Sequence, residues 1–212
     1  MERFSPQSML NAVGLNGETG SSLTPQHGST PNGGLTSQSP NAIRAKLESQ
    51  TPEETDRNLS QWLTSSLGIV PQPQVRLTYP TTGGYRREVT EYSLEGQTVA
   101  NRSDALRAVQ SAMTPATPER CEEYVSTLHA VTAHRQDSEN SLRLILRLYS
   151  DCLARFPADV AKAVVDRFIY RPDKPNFFPT LSELNEACER QAEQRAKMLA
   201  SLTSNAVSNI SR

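Results

Sequence analysis

Apolar positions recur at helical spacing along most of this chain, and most regularly over residues 138–156. There Leu142, Ile145, Leu146, Tyr149, Cys152, Leu153 and Phe156 share one stripe of a helix that Ser138 opens and Pro157 stops. A shorter helix from Asp159 shows Val160, Ala161, Val164, Val165, Phe168 and Ile169 on one face. Thr180 and Glu183 have the spacing of a capping box. Behind them Leu181, Leu184, Ala187, Cys188, Gln191 and Ala192 continue a stripe toward Met198 and Leu199. The intervening residues 171–179 form a loop fixed by Pro172, Pro175 and Pro179.

Upstream, Thr117-Pro118-Glu119 starts a helix with Cys121, Tyr124, Val125, Leu128 and Val131 on one side. Ser103 is read as the cap of a short helix with Ala105, Leu106, Val109 and Met113 inward. Thr51, Pro52 and Glu54 make a strong start for a helix carrying Leu59, Trp62, Leu63 and Leu67, which Gly68 ends. Residues 42–47 add a weaker turn or two. Period-two alternation is confined to one region: Val75, Leu77 and Tyr79, a turn-rich stretch at 80–84, and a second extended segment at 86–94. Glu95-Gly96 is a further turn signal, with 97–99 extended beyond it. The fold class predicted is mainly α: a small helical bundle with a disordered N-terminal tail and a short β-ribbon. The organisation predicted is a tail over 1–40, short helices and ribbon over 41–100, a helical bundle over 101–202 and a frayed tail over 203–212.

Composition sharpens the picture at the N-terminus. Residues 1–40 hold six of the ten glycines and only Glu2, Arg3 and Glu18 as charges, too little apolar surface to offset the entropy of ordering. The first residues lack a basic stretch followed by an apolar run, so no signal peptide is predicted. No 18-residue apolar stretch exists to span a membrane. The expected location is cytoplasmic. Cys121, Cys152 and Cys188 are widely spaced and lie on apolar stripes, which suits small core residues better than a disulfide framework.

Little points to chemistry. His129 and His134 are five residues apart on one helix, which separates their imidazoles rather than converging them on a metal. Gly83-Gly84 lacks the Lys-Ser/Thr of a phosphate loop. Neither a catalytic arrangement nor a cofactor or metal site is expected, and an enzyme is not the reading. The net charge of −1 gives no global reason to bind nucleic acid. Nine basic residues over 118–174 meet nine acids, and Arg143 and Arg147 share the polar face of the strongest helix without an obvious acidic partner at i+4. The candidate partner-binding residues are Arg143, Arg147, Arg171, Lys174, Phe177 and Phe178. For the two phenylalanines, one reading makes both rings core plugs; in the other, one packs inward while its neighbour anchors a partner.

The order of parts Tyr149 and Leu153, Phe156-Pro157, Val160 to Ala163, then Phe178-Pro179-Thr180 through Glu183-Leu184 resembles phage-encoded proteins that load or inhibit the hexameric replicative helicase. The resemblance covers roughly residues 118–195. It implies a helical domain that binds the helicase, with a flexible segment able to reach other replication proteins or DNA. A DNA-binding transcriptional regulator and a phage structural or scaffolding protein remain as alternatives.

Overall fold

The computed structural model describes residues 38–79, 84–132, 138–170 and 177–208, and the tail expected over 1–40 lies outside them but for residues 38–40. Among the described residues the chain is mostly helical, with one two-stranded antiparallel sheet. The order is α1 (Pro40–Glu48), α2 (Pro52–Leu67), β1 (Val70–Thr78), β2 (Arg86–Glu95), α3 (Val99–Ala112), α4 (Pro118–Val131), α5 (Glu139–Leu153), α6 (Ala158–Ile169) and α7 (Leu181–Ser208).

Local chemistry sets the boundaries. Thr51 accepts from the Glu54 amide while Glu54 accepts from the Thr51 amide, and Pro52 begins α2. Gly68 closes that helix in the left-handed conformation, φ 65°, with the Ile69 amide reaching back to the Leu63 carbonyl. Ser39, Thr117 and Ser138 cap α1, α4 and α5 through their hydroxyls.

Two expectations need correction. Ser103 lies inside α3; Thr98 is the cap, bonded reciprocally with Asn101, so Val99 is helical rather than extended. Asn101 has a further role, donating to the Leu67 and Gly96 carbonyls and so tying α3 to both ends of the hairpin's base. Second, β1 starts at Val70 and runs through Pro71 and Pro73, which face Leu94 and Tyr92. Proline fits there because its nitrogen, having no hydrogen, points away from the partner strand. The last helix, α7, extends to Ser208.

The glycines at the hairpin base are fixed by geometry. Gly96 has φ 80°, and a Cβ there would sit 2.2 Å from the Gly68 carbonyl oxygen, far inside contact distance.

Two apolar clusters form the interior. The first gathers Leu47, Val125, Leu128, Leu153, Val160, Val164, Phe168, Leu184 and Cys188, drawn from α1, α4, α5, α6 and the start of α7. The second gathers Leu59, Leu63, Ile69, Val109, Met198 and Leu202 from α2, α3 and the later part of α7. The 28-residue α7, about 42 Å long at the helical rise, therefore runs through both. Between its two apolar stretches lies Arg195, fully buried. The Arg195 guanidinium binds Asp159 of α6 through both carboxylate oxygens, at 2.9 and 2.6 Å, and Asp56 of α2 at 2.5 Å. It also donates to the carbonyls of Ala112 and Pro52. One side chain thus ties α7 to α2, α3 and α6. Burial pushes the Asp56 carboxyl up, against the pull of Arg195.

Candidate functional site

The candidate surface is built where the end of the proline loop meets α5 and α4. Thr180 and Glu183 form the expected capping box: the Thr180 amide donates to the Glu183 carboxylate at 2.8 Å and the Glu183 amide to the Thr180 hydroxyl at 3.2 Å. This fixes the start of α7. One residue earlier, the Tyr149 hydroxyl donates to the Pro179 carbonyl at 2.7 Å. Burial raises the Tyr149 phenol above its ordinary range, with Glu183 adding to the shift, so it stays a donor at neutral pH.

Phe178 packs inward on this frame. Its ring lies 4.8 Å from that of Tyr149, tilted by 45°, and meets His129 of α4 edge-on at 5.3 Å. Its neighbour Phe177 is 65% exposed. Of the two readings of this pair, the structure places one ring inside and one in solvent. Tyr170 and Leu181, which flank the loop, are also exposed.

A second exposed apolar feature lies on α5. Leu144 and Leu148, one turn apart, are exposed although the helix buries Cys152 and Leu153 and half-buries Leu142, Ile145, Leu146 and Tyr149. The stretch 142–148 is apolar at five of seven positions, too many for a single stripe. That excess was the legible signal for a second apolar face.

Arg143 and Arg147 are exposed on α5, but both have carboxylates one turn away: Arg143 with Glu139 at 2.6 Å and Arg147 with Asp151 at 3.9 Å. The expectation of no acidic partner at i+4 is corrected for Arg147, where Asp151 stands there; the partner of Arg143 stands at i−4. Arg171 and Lys174 fall outside the described residues. Replacing Arg143 and Arg147 by Glu should leave stability within about 0.5 kcal/mol of wild type, as exposed pairs contribute little. It should slow association with an acidic partner more than it speeds dissociation. Stopped-flow association and urea unfolding of the double variant check both.

Neighbouring polar contacts are structural. Arg155 donates to Asn185 at 3.3 Å, and Asn185 donates onward to Glu189 at 2.7 Å. All three cysteines are free and buried. Burial pushes the Cys121 thiol up to about 11 and the Cys188 thiol up to about 12, so neither is a thiolate at neutral pH. No cluster of three metal-ligating side chains occurs among the described residues, and none of their helices is long and apolar enough to cross a membrane. A cleft of about 360 Å³ between α2, β2, α6 and α7 is lined by charges of both signs; Asp56 and Lys197 there are already paired.

No family pattern, curated protein or solved structure matches the chain.

Proposed function

We propose that the protein is a non-enzymatic replication accessory protein of a phage or prophage, binding a hexameric replicative helicase through the surface around Phe177. The observation that carries this reading is the unequal environment of the two adjacent rings: Phe178 clamped between Tyr149 and His129, Phe177 exposed to solvent. An aromatic side chain on a backbone already held by the Tyr149–Pro179 bond loses little entropy when it enters a partner's pocket. Exposed Tyr170 and Leu181 supply apolar area on either side of it in sequence. Tyr149, Leu153, Phe178, Pro179, Thr180 and Glu183 carry the resemblance to helicase loaders and inhibitors. Of these, Tyr149, Phe178, Pro179, Thr180 and Glu183 build this support. Charge-paired helices and a net charge of −1 favour this reading over a DNA-binding regulator.

The test uses the full chain and purified hexameric helicases. The wild type should bind, and Phe177→Ala should weaken binding at least tenfold, about 1.4 kcal/mol or more, with an unchanged melting curve. If the wild type binds no hexameric helicase, the function is wrong. Binding by Phe177→Ala at wild-type strength would remove this surface.

A further inference from the structure

The hairpin offers an interaction surface that the helicase reading does not use. Its base is docked: Tyr92 and Leu94 of β2 pack on the second apolar cluster, and Lys197 of α7 donates to the Val89 carbonyl. β2 therefore has α7 beside it. β1 has its other edge in solvent, with residues 72–77 all exposed. An open edge displays unpaired amides and carbonyls, and proteins commonly blunt such edges with proline. Here the blunting is partial. Pro71 and Pro73 remove the outward donors near the base, and Pro80 is the next residue without an N–H. Between them the outward-pointing donors of Val75, Leu77 and Tyr79 remain, and these three side chains share one face, 40%, 49% and 76% exposed.

We infer that this free edge of β1 pairs antiparallel with the same edge of a second copy of the chain, centred on Leu77, to give a continuous four-stranded sheet.

The register follows from the sequence of the edge. A twofold axis normal to the sheet places one residue opposite its own copy. Centring on Leu77 sets Leu77 against Leu77, Val75 against Tyr79 and Arg76 against Thr78. Those are apolar, β-branched–aromatic and charge–neutral pairs, all tolerated or favourable across strands. Centring on Arg76 would set two guanidiniums face to face, which is destabilising. Centring on Thr78 would pair Leu77 with Tyr79 and then run past the end of β1, giving a shorter ladder. Arg76 is opposite Glu88 within its own hairpin, so its charge is matched without a partner. Joining two ribbons also relieves the weakness of a two-stranded sheet, since three or more strands stabilise one another. The contact is isologous and closes at two copies.

The experiment measures self-association of the full chain by sedimentation over a concentration series. A reversible monomer–dimer equilibrium is expected, and Leu77→Lys, which sets two ammonium groups against each other at the axis, should abolish it while leaving unchanged the melting curve recorded at concentrations where the wild type is monomeric. Mild oxidation of single-cysteine additions reads the register independently. Leu77→Cys should form a disulfide-linked dimer, whereas Val75→Cys, opposite Tyr79, should not; the native cysteines are buried. A wild type that stays monomeric throughout, a dimer indifferent to Leu77→Lys, or equal cross-linking of both cysteine variants would each overturn the inference. None of these outcomes depends on helicase binding.

Discussion

Arg195→Met should lower the unfolding free energy by about 3–5 kcal/mol, the cost of leaving a buried charge without its partner. The methionine would fill much of the space, so the loss is not chiefly a cavity. It comes from Asp159, whose side chain is as fully buried as that of Arg195 and which takes two of the guanidinium's bonds. The carbonyls of Ala112 and Pro52 lose donors as well. Against a total stability of about 5–15 kcal/mol, such a change can unfold the protein outright. The measurement is urea unfolding, read as a fall in midpoint with unchanged slope. Adding Asp159→Asn to Arg195→Met should recover part of the loss, because the stranded charge is then gone. A single-variant loss below about 1 kcal/mol would mean that water reaches the triad and that its burial is not what holds α7 in place.

Phe178→Ala should cost about 3 kcal/mol, at the low end of the range for a core phenylalanine because the ring is only half-buried. The ring's contacts with Tyr149 and His129 contribute beyond area alone. Its loss also frees the turn that carries Phe177. Helicase binding should therefore weaken in Phe178→Ala together with thermal stability, whereas Phe177→Ala should weaken binding alone. The two readouts, melting and binding, separate a support from an anchor. Equal melting curves for the two variants would contradict the packing of Phe178 and the exposure of Phe177.

Much of the fold was legible because it is written locally. The caps at Thr51, Thr117, Ser138 and Thr180 each need only a hydroxyl and the amides one turn ahead, and such contacts are fixed by spacing. The start of α3 was misread for the same reason in reverse: Ser103 offers a cap, but Thr98 offers one with a reciprocal partner in Asn101. The proline-bearing half of β1 was missed since proline argues against a strand unless its nitrogen faces an open edge, and which edge is open is a tertiary fact. Arg195 was missed altogether. Its signal was present: it stands on the buried stripe between Ala192 and Met198, where a charge has no reason to be unless a carboxylate meets it. The two carboxylates that do so lie 36 and 139 residues away in sequence, beyond the reach of any local pattern. At the candidate site, Phe177 and Phe178 could be paired with two roles but not assigned to them, because the assignment rests on Tyr149 and His129 across the packing.

The placement of Arg195 also bears on when the protein becomes itself during synthesis. All the groups its guanidinium gathers, Pro52, Asp56, Ala112 and Asp159, leave the ribosome before α7 does. Until that helix emerges, Asp159 awaits a cation it cannot reach, and each apolar cluster lacks the side that Leu184, Cys188, Met198 and Leu202 supply. Nascent chains generally fold in whole units from the N-terminal side; here the unit cannot close until its late-made helix arrives. The nascent chain must wait with its apolar faces open, a period in which a chaperone or a second nascent copy has its best access.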